Sequence, residues 1–129
     1  MTTNQFPIVN EWLKYAVLLH YNDPRKPDHH DIALDIINDE ESEKLSLDKL
    51  ETVELDLFER KLPITPFELI RKRYLEYEGA MSENRGFVRR VDEGRYKLLR
   101  NDHLLFDGKV LSGEYDFREE GENLYLCKL

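Results

Sequence analysis

The densest group of side chains with chemical potential is the run Asp28-His29-His30-Asp31, which follows His20 and Asp23 along the chain. Neutral imidazoles and carboxylates ligate zinc, manganese and iron, and the same groups act as general acids and bases. The spacing lacks the His-x-x-x-His and Glu-x-x-His patterns that place two metal ligands on one face of a helix. Adjacent histidines on a helix point about 100° apart, which disfavours a shared ion.

The sequence therefore favours a solvated turn in which Asp28 caps a helix, and no bound metal or cofactor is expected. A metal-dependent hydrolase built around His29, His30 and Asp31 is kept as the third functional alternative, because the residue types suit it even though the spacing does not.

No other motif indicates catalysis. The chain has no Gly-x-Ser-x-Gly elbow and no glycine-rich phosphate loop. Its one cysteine, Cys127, lies in a predicted strand and is interpreted as a packing residue. These observations favour a binding protein over an enzyme.

Charge is distributed unevenly along the chain. Residues 35–60 hold ten carboxylates and three basic residues, a net −7 out of the total of −8. A concentrated field steers association with partners of opposite charge. The sequence thus predicts a small acidic protein-binding module, of inhibitor or immunity type, that docks a basic protein partner. The predicted contact residues are Asp39, Glu40, Glu41, Glu43, Asp48 and Glu51.

A basic stretch supports a second alternative. Residues 71–100 carry nine basic and five acidic residues, a net +4, with aromatic residues between them. A basic helix followed by a hairpin resembles the end of a winged-helix domain, which implies a nucleic-acid-binding regulator. Its predicted phosphate contacts are Arg71, Arg73, Arg89 and Arg90. The overall charge and the absence of a helix-turn-helix before Thr65 oppose this reading, and the acidic and basic stretches can also pair within the molecule.

The first 79 residues have mainly helical apolar spacing. Helices are predicted over residues 11–21, 46–62 and 65–79, and residues 31–37 fit a helix or a strand. The last of these helices has the strongest local signal, because Thr65, Pro66 and Glu68 match a capping box with proline at the first helical position. A strand over residues 53–57 competes with the second helix.

The remaining residues alternate between apolar and polar positions and are punctuated by glycine turns. Strands are predicted over residues 86–91, 95–100, 103–106, 109–118 and 123–128, with turns at 92–94, 107–108 and 119–121. The predicted fold is α+β, with N-terminal helices (1–79) packed on a C-terminal antiparallel β-meander (85–129) in a single domain, 1–129.

Composition also bounds the environment of the protein. The lone cysteine favours a reducing compartment, no apolar run is long enough for a membrane-spanning helix, and residues 1–5 lack the start of a secretory signal. A cytoplasmic location is expected.

Overall fold

The computed structural model describes residues 10–100 and 103–129, so the expectation for residues 1–5 lies outside the described residues. The described chain forms ten β-strands and two short 3₁₀ helices, Lys72–Leu75 and Ser82–Asn84. The strands are β1 (Trp12–Tyr21), β2 (His29–Asp35), β3 (Leu45–Thr52), β4 (Lys61–Pro66), β5 (Ile70–Arg71), β6 (Gly79–Ala80), β7 (Phe87–Arg100), β8 (His103–Asp107), β9 (Ser112–Glu120) and β10 (Asn123–Lys128).

Eight of these strands close into an antiparallel barrel. The neighbours follow the order β1-β2-β3-β4-β10-β9-β8-β7, and β7 pairs back onto β1 to complete the ring. The closing pairing runs from Trp12 opposite Lys97 to Tyr21 opposite Phe87, with a register shift between Val17 and Leu18. The short β5 and β6 lie outside this ring, on β3 and β7.

The barrel interior holds the main apolar core. Aromatic rings pack at its centre, where Phe106 meets Tyr15 and Tyr115 edge to face at centroid distances of 5.0 and 5.2 Å. Such arrangements match the positive edge of one ring to the negative face of another. Buried aliphatic residues from seven of the eight strands of the ring surround these aromatic rings, and β9 contributes the aromatic Tyr115 and Phe117 instead.

A second, smaller apolar cluster covers part of the barrel from outside. Ala16, Ala33 and Leu47 project from β1, β2 and β3 and pack with Leu75 of the first 3₁₀ helix, assisted by Ile70 and Tyr74. This cover buries the outer face of three adjacent strands, and all seven residues of β2 are buried as a result.

The predicted α+β fold is wrong, because the described chain contains no α-helix. The predicted helix over residues 11–21 is wrong, and residues 31–37, which fit a helix or a strand, lie mostly in the strand β2, because apolar residues lie on both faces of β1 and β2. Where both faces of a strand are buried, the two-residue alternation disappears, and the remaining run imitates a helix.

The predicted capping box at residues 65–68 does not begin a helix, because β4 ends at Pro66 and pairs with β10 and β3. Ile64 pairs with Leu124 of β10, and Pro66 lies opposite Leu50 of β3. Local propensity is a weak prior when tertiary packing buries the same residues in a sheet. Pro63, which lacks a backbone donor, is tolerated because β3 pairs with β4 only near residues 65–66.

The C-terminal half is antiparallel sheet, with different strand limits from those predicted. The predicted turn at residues 92–94 is wrong, since β7 continues through it for 14 residues. Residues 109–111 form a loop instead of a strand, and β9 begins at Ser112. A tight turn at residues 121–122 joins β9 and β10, which pair from Asn123 opposite Glu120.

In the described part of the chain, no helix has the length and apolar character needed to cross a lipid bilayer.

Candidate metal centre

A buried histidine–carboxylate cluster lies on the outer face of the β1–β2–β3 region. The strand register places His20 of β1 directly opposite His29 of β2, with ring centroids 4.8 Å apart. Asp31 follows His29 by two residues and therefore projects from the same face. Glu51 of β3 lies opposite Asp31 in the neighbouring pairing. Antiparallel pairing thus gathers residues from three strands.

The donor atoms of this cluster converge. His20 Nδ1 lies 3.7 Å from Asp31 Oδ2, and His29 Nε2 lies 3.4 Å from Asp31 Oδ1. One donor atom from each of the three residues can be chosen so that all lie within 4.8 Å of one another. Ligand atoms around a zinc-sized ion, at bonds of about 2 Å, are separated by about 3–4 Å. The cluster is close to the dimensions that a metal site requires.

Hydrogen bonds orient both imidazole rings. His20 Nε2 lies 2.6 Å from the carbonyl oxygen of Arg85, and His29 Nδ1 lies 2.9 Å from that of Pro27. A carbonyl oxygen only accepts, so each of these ring nitrogens carries a proton and donates it. In the neutral rings, His20 Nδ1 and His29 Nε2 are consequently the unprotonated nitrogens. Metal-bound histidines are fixed in the same way, by an outer partner on the nitrogen that does not bind the metal.

The centre of the cluster favours positive charge. His29 Nε2 and Asp31 Oδ1 are buried and make no hydrogen bond with any of the described residues. The unprotonated His29 Nε2 faces Asp31 and also lies 3.3 Å from Glu51 Oε1, so lone pairs oppose one another unless a proton or a cation lies between them. Burial disfavours the imidazolium form, but Asp31, the Pro27 carbonyl and Glu51 outweigh it and raise the pKa of His29.

Asp31 remains ionised despite its burial. Burial alone raises the pKa of a carboxyl group, yet the rings of His20 and His29 and the ammonium group of Lys49 hold the pKa of Asp31 well below its usual range. Lys49 Nζ lies 3.9 Å from Asp31 Oδ1. A permanent carboxylate beside two ligand nitrogens is the donor set that zinc, manganese and ferrous iron take in proteins.

The sequence matches no protein-family model, and no curated protein matches it significantly. The geometry of the site and its surroundings therefore carries the functional argument.

A pocket of about 230 Å³ borders the cluster. His20 and Asp31 form part of its wall, together with apolar side chains of the outer cover. Three of the lining residues are cationic, namely Lys49, Arg71 and Arg85. The lining contains one carboxylate, that of Asp31. The pocket thus joins two candidate ligands to a positively charged chamber.

The structure separates His30 from the residues with which it was grouped in the sequence. His30 projects from the opposite face of β2 to its neighbour His29, and its Nδ1 lies 3.2 Å from the carbonyl oxygen of Glu54. Burial lowers the pKa of His30. Asp28 caps no helix, and its Oδ1 instead accepts a hydrogen bond from the backbone of Asn22. His20 takes the place of His30 as the third candidate ligand.

The predicted acidic docking residues do not form one free surface. Asp48 is fully buried in the barrel, and Glu51 Oε1 pairs with Lys26 at 2.7 Å beside the histidine cluster. Glu43 pairs with two arginines and Asp39 with Lys44 at 3.0 Å. The remaining two, Glu40 and Glu41, are exposed. Much of the acidic stretch is therefore matched within the molecule.

The arginines predicted to contact phosphate also do not form one free surface. Arg71 and Arg73 lie 3.1 and 3.5 Å from Glu43, which is the intramolecular pairing of acidic and basic stretches that the sequence left open. Arg90 pairs with Glu93 at 3.1 Å, and Arg89 is exposed on β7. No α-helix in residues 10–100 is present to enter a major groove, because the expected basic helix is a single 3₁₀ turn.

One local feature of the sequence indicates the histidine–carboxylate cluster. His29 and Asp31 are two positions apart, a spacing that places side chains on one face of a strand and on different faces of a helix. Because residues 31–37 fit a helix as well as a strand, the sequence alone does not establish that relation. The approach of His20 depends on the β1–β2 hairpin register, which no short motif encodes.

Proposed function

We propose that this protein is a metal-dependent hydrolase whose centre is formed by His20, His29 and Asp31. The observation that carries the proposal is the convergence of two imidazole rings, each oriented by a carbonyl oxygen, on one buried carboxylate. Three protein ligands are typical of catalytic metal centres, which keep a position open for water or substrate. This proposal retains the third functional alternative drawn from the sequence and replaces His30 with His20.

The ligand set suits a divalent transition metal. Two imidazoles and one carboxylate match zinc, manganese and ferrous iron, while calcium and magnesium prefer oxygen donors alone. Glu51 is a candidate fourth ligand, since its Oε1 lies 3.3 Å from His29 Nε2. When bound, such a metal lowers the pKa of a water ligand and polarises a phosphoryl or carbonyl oxygen.

The adjoining pocket indicates an anionic substrate. Lys49, Arg71 and Arg85 line a chamber of about 230 Å³ in which Asp31 is the only acidic residue of the wall. Cations near a metal stabilise the negative charge that develops when an ester of phosphoric acid is attacked by water. Among hydrolysable groups, a phosphate ester best matches both the charge and the small volume.

The surrounding residues have definable roles in this scheme. The carbonyl oxygens of Arg85 and Pro27 fix the ring orientations of His20 and His29. Lys49 balances the charge of Asp31, and all three residues of the cluster are buried. Burial strengthens the electrostatic interactions among them.

The first test is metal binding by the full chain. Titration of metal-free protein with Zn²⁺ in a calorimeter, and with Co²⁺ followed by its visible absorption, is expected to show one site. His29→Gln and Asp31→Asn should each weaken binding by about 10-fold or more, as loss of one ligand does in metal sites. His103→Gln is the matched control, because His103 lies on β8 beside Asp116 and outside the cluster. Equal affinities in all four proteins would refute the ligand assignment.

The second test is metal-dependent activity. The metal-loaded protein is expected to hydrolyse p-nitrophenyl phosphate or bis(p-nitrophenyl) phosphate, and His29→Gln should abolish turnover while His103→Gln retains it. Arg71→Gln should raise KM more than it lowers kcat, because Arg71 lines the pocket without contacting the cluster. A protein that binds the metal at this site but leaves both esters intact would retain the metal centre and reject the hydrolase.

A further inference from the structure

A second surface of interest lies on the loop between β3 and β4, and it shares Glu51 with the histidine–carboxylate cluster. Val53, Leu55 and Phe58 are exposed by 63%, 56% and 72%. Most protein surfaces expose large apolar residues singly, whereas this loop exposes three of them within six consecutive positions. The fourth apolar residue of the loop, Leu57, is buried in the barrel core and anchors the segment.

Side-chain hydrogen bonds hold this loop in a defined shape. The backbone N–H of Glu54 donates to Thr52 Oγ1, that of Asp56 to Glu54 Oε1, and that of Phe58 to Asp56 Oδ1, at 3.2, 3.1 and 3.0 Å. The Glu54 carbonyl also accepts the hydrogen bond from His30. The exposed apolar residues are thus presented by an ordered backbone, which reduces the entropy lost when a partner binds.

A groove adjoins the loop. It has a volume of about 250 Å³ and runs between β4 and the β9–β10 turn. Val53 lies in its wall, so the loop and the groove form one surface. The other apolar lining residues are Pro63, Ile64, Pro66 and Leu124. This surface, residues 53–59 with that groove, is called the loop–groove surface.

The rim of the loop–groove surface is acidic. Glu54, Asp56 and Glu59 alternate with the apolar residues, and residues 53–59 contain no lysine or arginine. Within the described chain, none of these three carboxylates forms a salt bridge. Glu122 contributes a further carboxylate at the groove. The charge of the rim is therefore available to an external partner, unlike that of Asp39 and Glu43.

We propose that the loop–groove surface docks a basic peptide segment of a protein partner that carries large apolar side chains between its lysines or arginines. Apolar anchors would occupy the groove and cover Phe58, while the basic residues would face the carboxylate rim. A second copy of the chain is the poorer occupant, because a two-fold contact sets the acidic rim against itself. Anionic lipid is repelled by the same carboxylates.

The proposal is tested with a phage-displayed library of short random peptides selected on the metal-loaded full chain. Selected peptides are expected to be enriched in lysine or arginine and in leucine, phenylalanine or tryptophan. A synthetic, fluorescein-labelled binder then gives affinities by anisotropy. Phe58→Ser should weaken binding about 10-fold or more, because Phe58 is the largest exposed apolar side chain of the loop and aromatic residues dominate binding energy at interfaces. Glu59→Gln should weaken it less and reduce its salt dependence.

Phe87→Ser is the matched control, since Phe87 is 42% exposed on β7 and lies outside the loop–groove surface. It is expected to leave peptide affinity unchanged. The proposal fails if the selected peptides show no basic and apolar enrichment, or if Phe58→Ser and Phe87→Ser act equally. Sedimentation showing a dimer that Phe58→Ser dissociates would assign the surface to a second copy, and Phe58-dependent binding to anionic vesicles would assign it to membranes.

Discussion

Two buried aspartates show how the side of a strand decides the chemistry of a residue. Asp31 lies on the outer face of β2 among two imidazoles and Lys49, and the pKa of this carboxyl is held well below its usual range. Asp48 of β3 projects into the barrel, where burial raises its pKa to about 7. The first remains charged and suits a cation, while the second exchanges its proton near neutral pH.

Asp48 predicts a pH-dependent loss of stability. Its pKa rises from 3.8 to about 7 on folding, so the unfolded chain releases this proton more readily than the folded chain. Stability from this residue is therefore complete below about pH 4, falls as pH rises toward 7, and stays low above it. Asp48→Asn should flatten this slope and stabilise the protein at pH 8 by a few kcal/mol at most. Urea unfolding of both proteins across this range, with chelator present, measures the difference.

The difference between the stability-versus-pH curves of the parent and the variant isolates the contribution of Asp48, because the histidines are common to both proteins. A variant that is less stable than the parent at every pH would contradict the assignment. In that case the barrel interior would stabilise the carboxylate form of Asp48 and not its protonated form.

At the scale of elements, the loop between β8 and β9 is organised by buried polar contacts. Asp92 of β7 accepts hydrogen bonds from the hydroxyl of Tyr15 at 2.7 Å and from the backbone N–H groups of Lys109 and Leu111. Burial and the neighbouring Asp92 raise the pKa of Tyr15, which keeps its hydroxyl protonated as the donor. Gly108 passes directly over this contact, and a Cβ atom there would lie 1.6 Å from the Tyr15 hydroxyl oxygen.

Gly108→Ala is accordingly expected to destabilise the protein. The added methyl group displaces Tyr15 and breaks its hydrogen bond to Asp92, at a cost of about 1–3 kcal/mol in the free energy of unfolding. Gly121→Ala is the comparison, because a Cβ there meets no atom within 4 Å and bears only the strain of its φ of +63°. In the double mutant with Tyr15→Phe, the cost of Gly108→Ala should shrink, and strictly additive costs would argue against the contact.

The elements also show what short-range patterns can and cannot reveal. Most strands after residue 86 were predictable because one face meets the core and the other meets water, which preserves alternation. β1 and β2 were not, because the outer cover buries Ala16 and Ala33 on the face opposite the barrel interior. The metal cluster lies in those same two strands. Its two-residue His29–Asp31 spacing was visible, but the strand assignment needed to interpret it was not.

For the molecule as a whole, the uneven charge along the sequence becomes partly balanced in space. Lys72 lies 2.7 Å from the fully buried Asp35, and Glu43 meets Arg71 and Arg73, so the acidic and basic stretches meet across the outer cover. The net charge of a segment can be read from the sequence, whereas these pairings depend on the pairing of β5 with β3, which brings residues 70–73 beside residues 42–47. The carboxylates of residues 53–59, like the exposed Glu40 and Glu41, belong to the part of the acidic stretch for which the described residues provide no salt bridge.

Barrel closure makes a prediction about the last strand. In the predicted fold, with helices packed on a meander, the final strand would lie at the edge of the sheet. In the barrel, β10 lies between β4 and β9 and hydrogen-bonds to both. Removal of residues 123–129 should open the ring, expose two strand edges and remove the buried side chain of Leu126. We expect loss of near-ultraviolet circular dichroism and of cooperative urea unfolding, while removal of Leu129 alone, 45% exposed, should preserve both. Addition of a synthetic peptide covering residues 121–129 should restore the signals if β10 completes the ring. A truncated chain that unfolds cooperatively without the peptide would show that β10 is not a central strand.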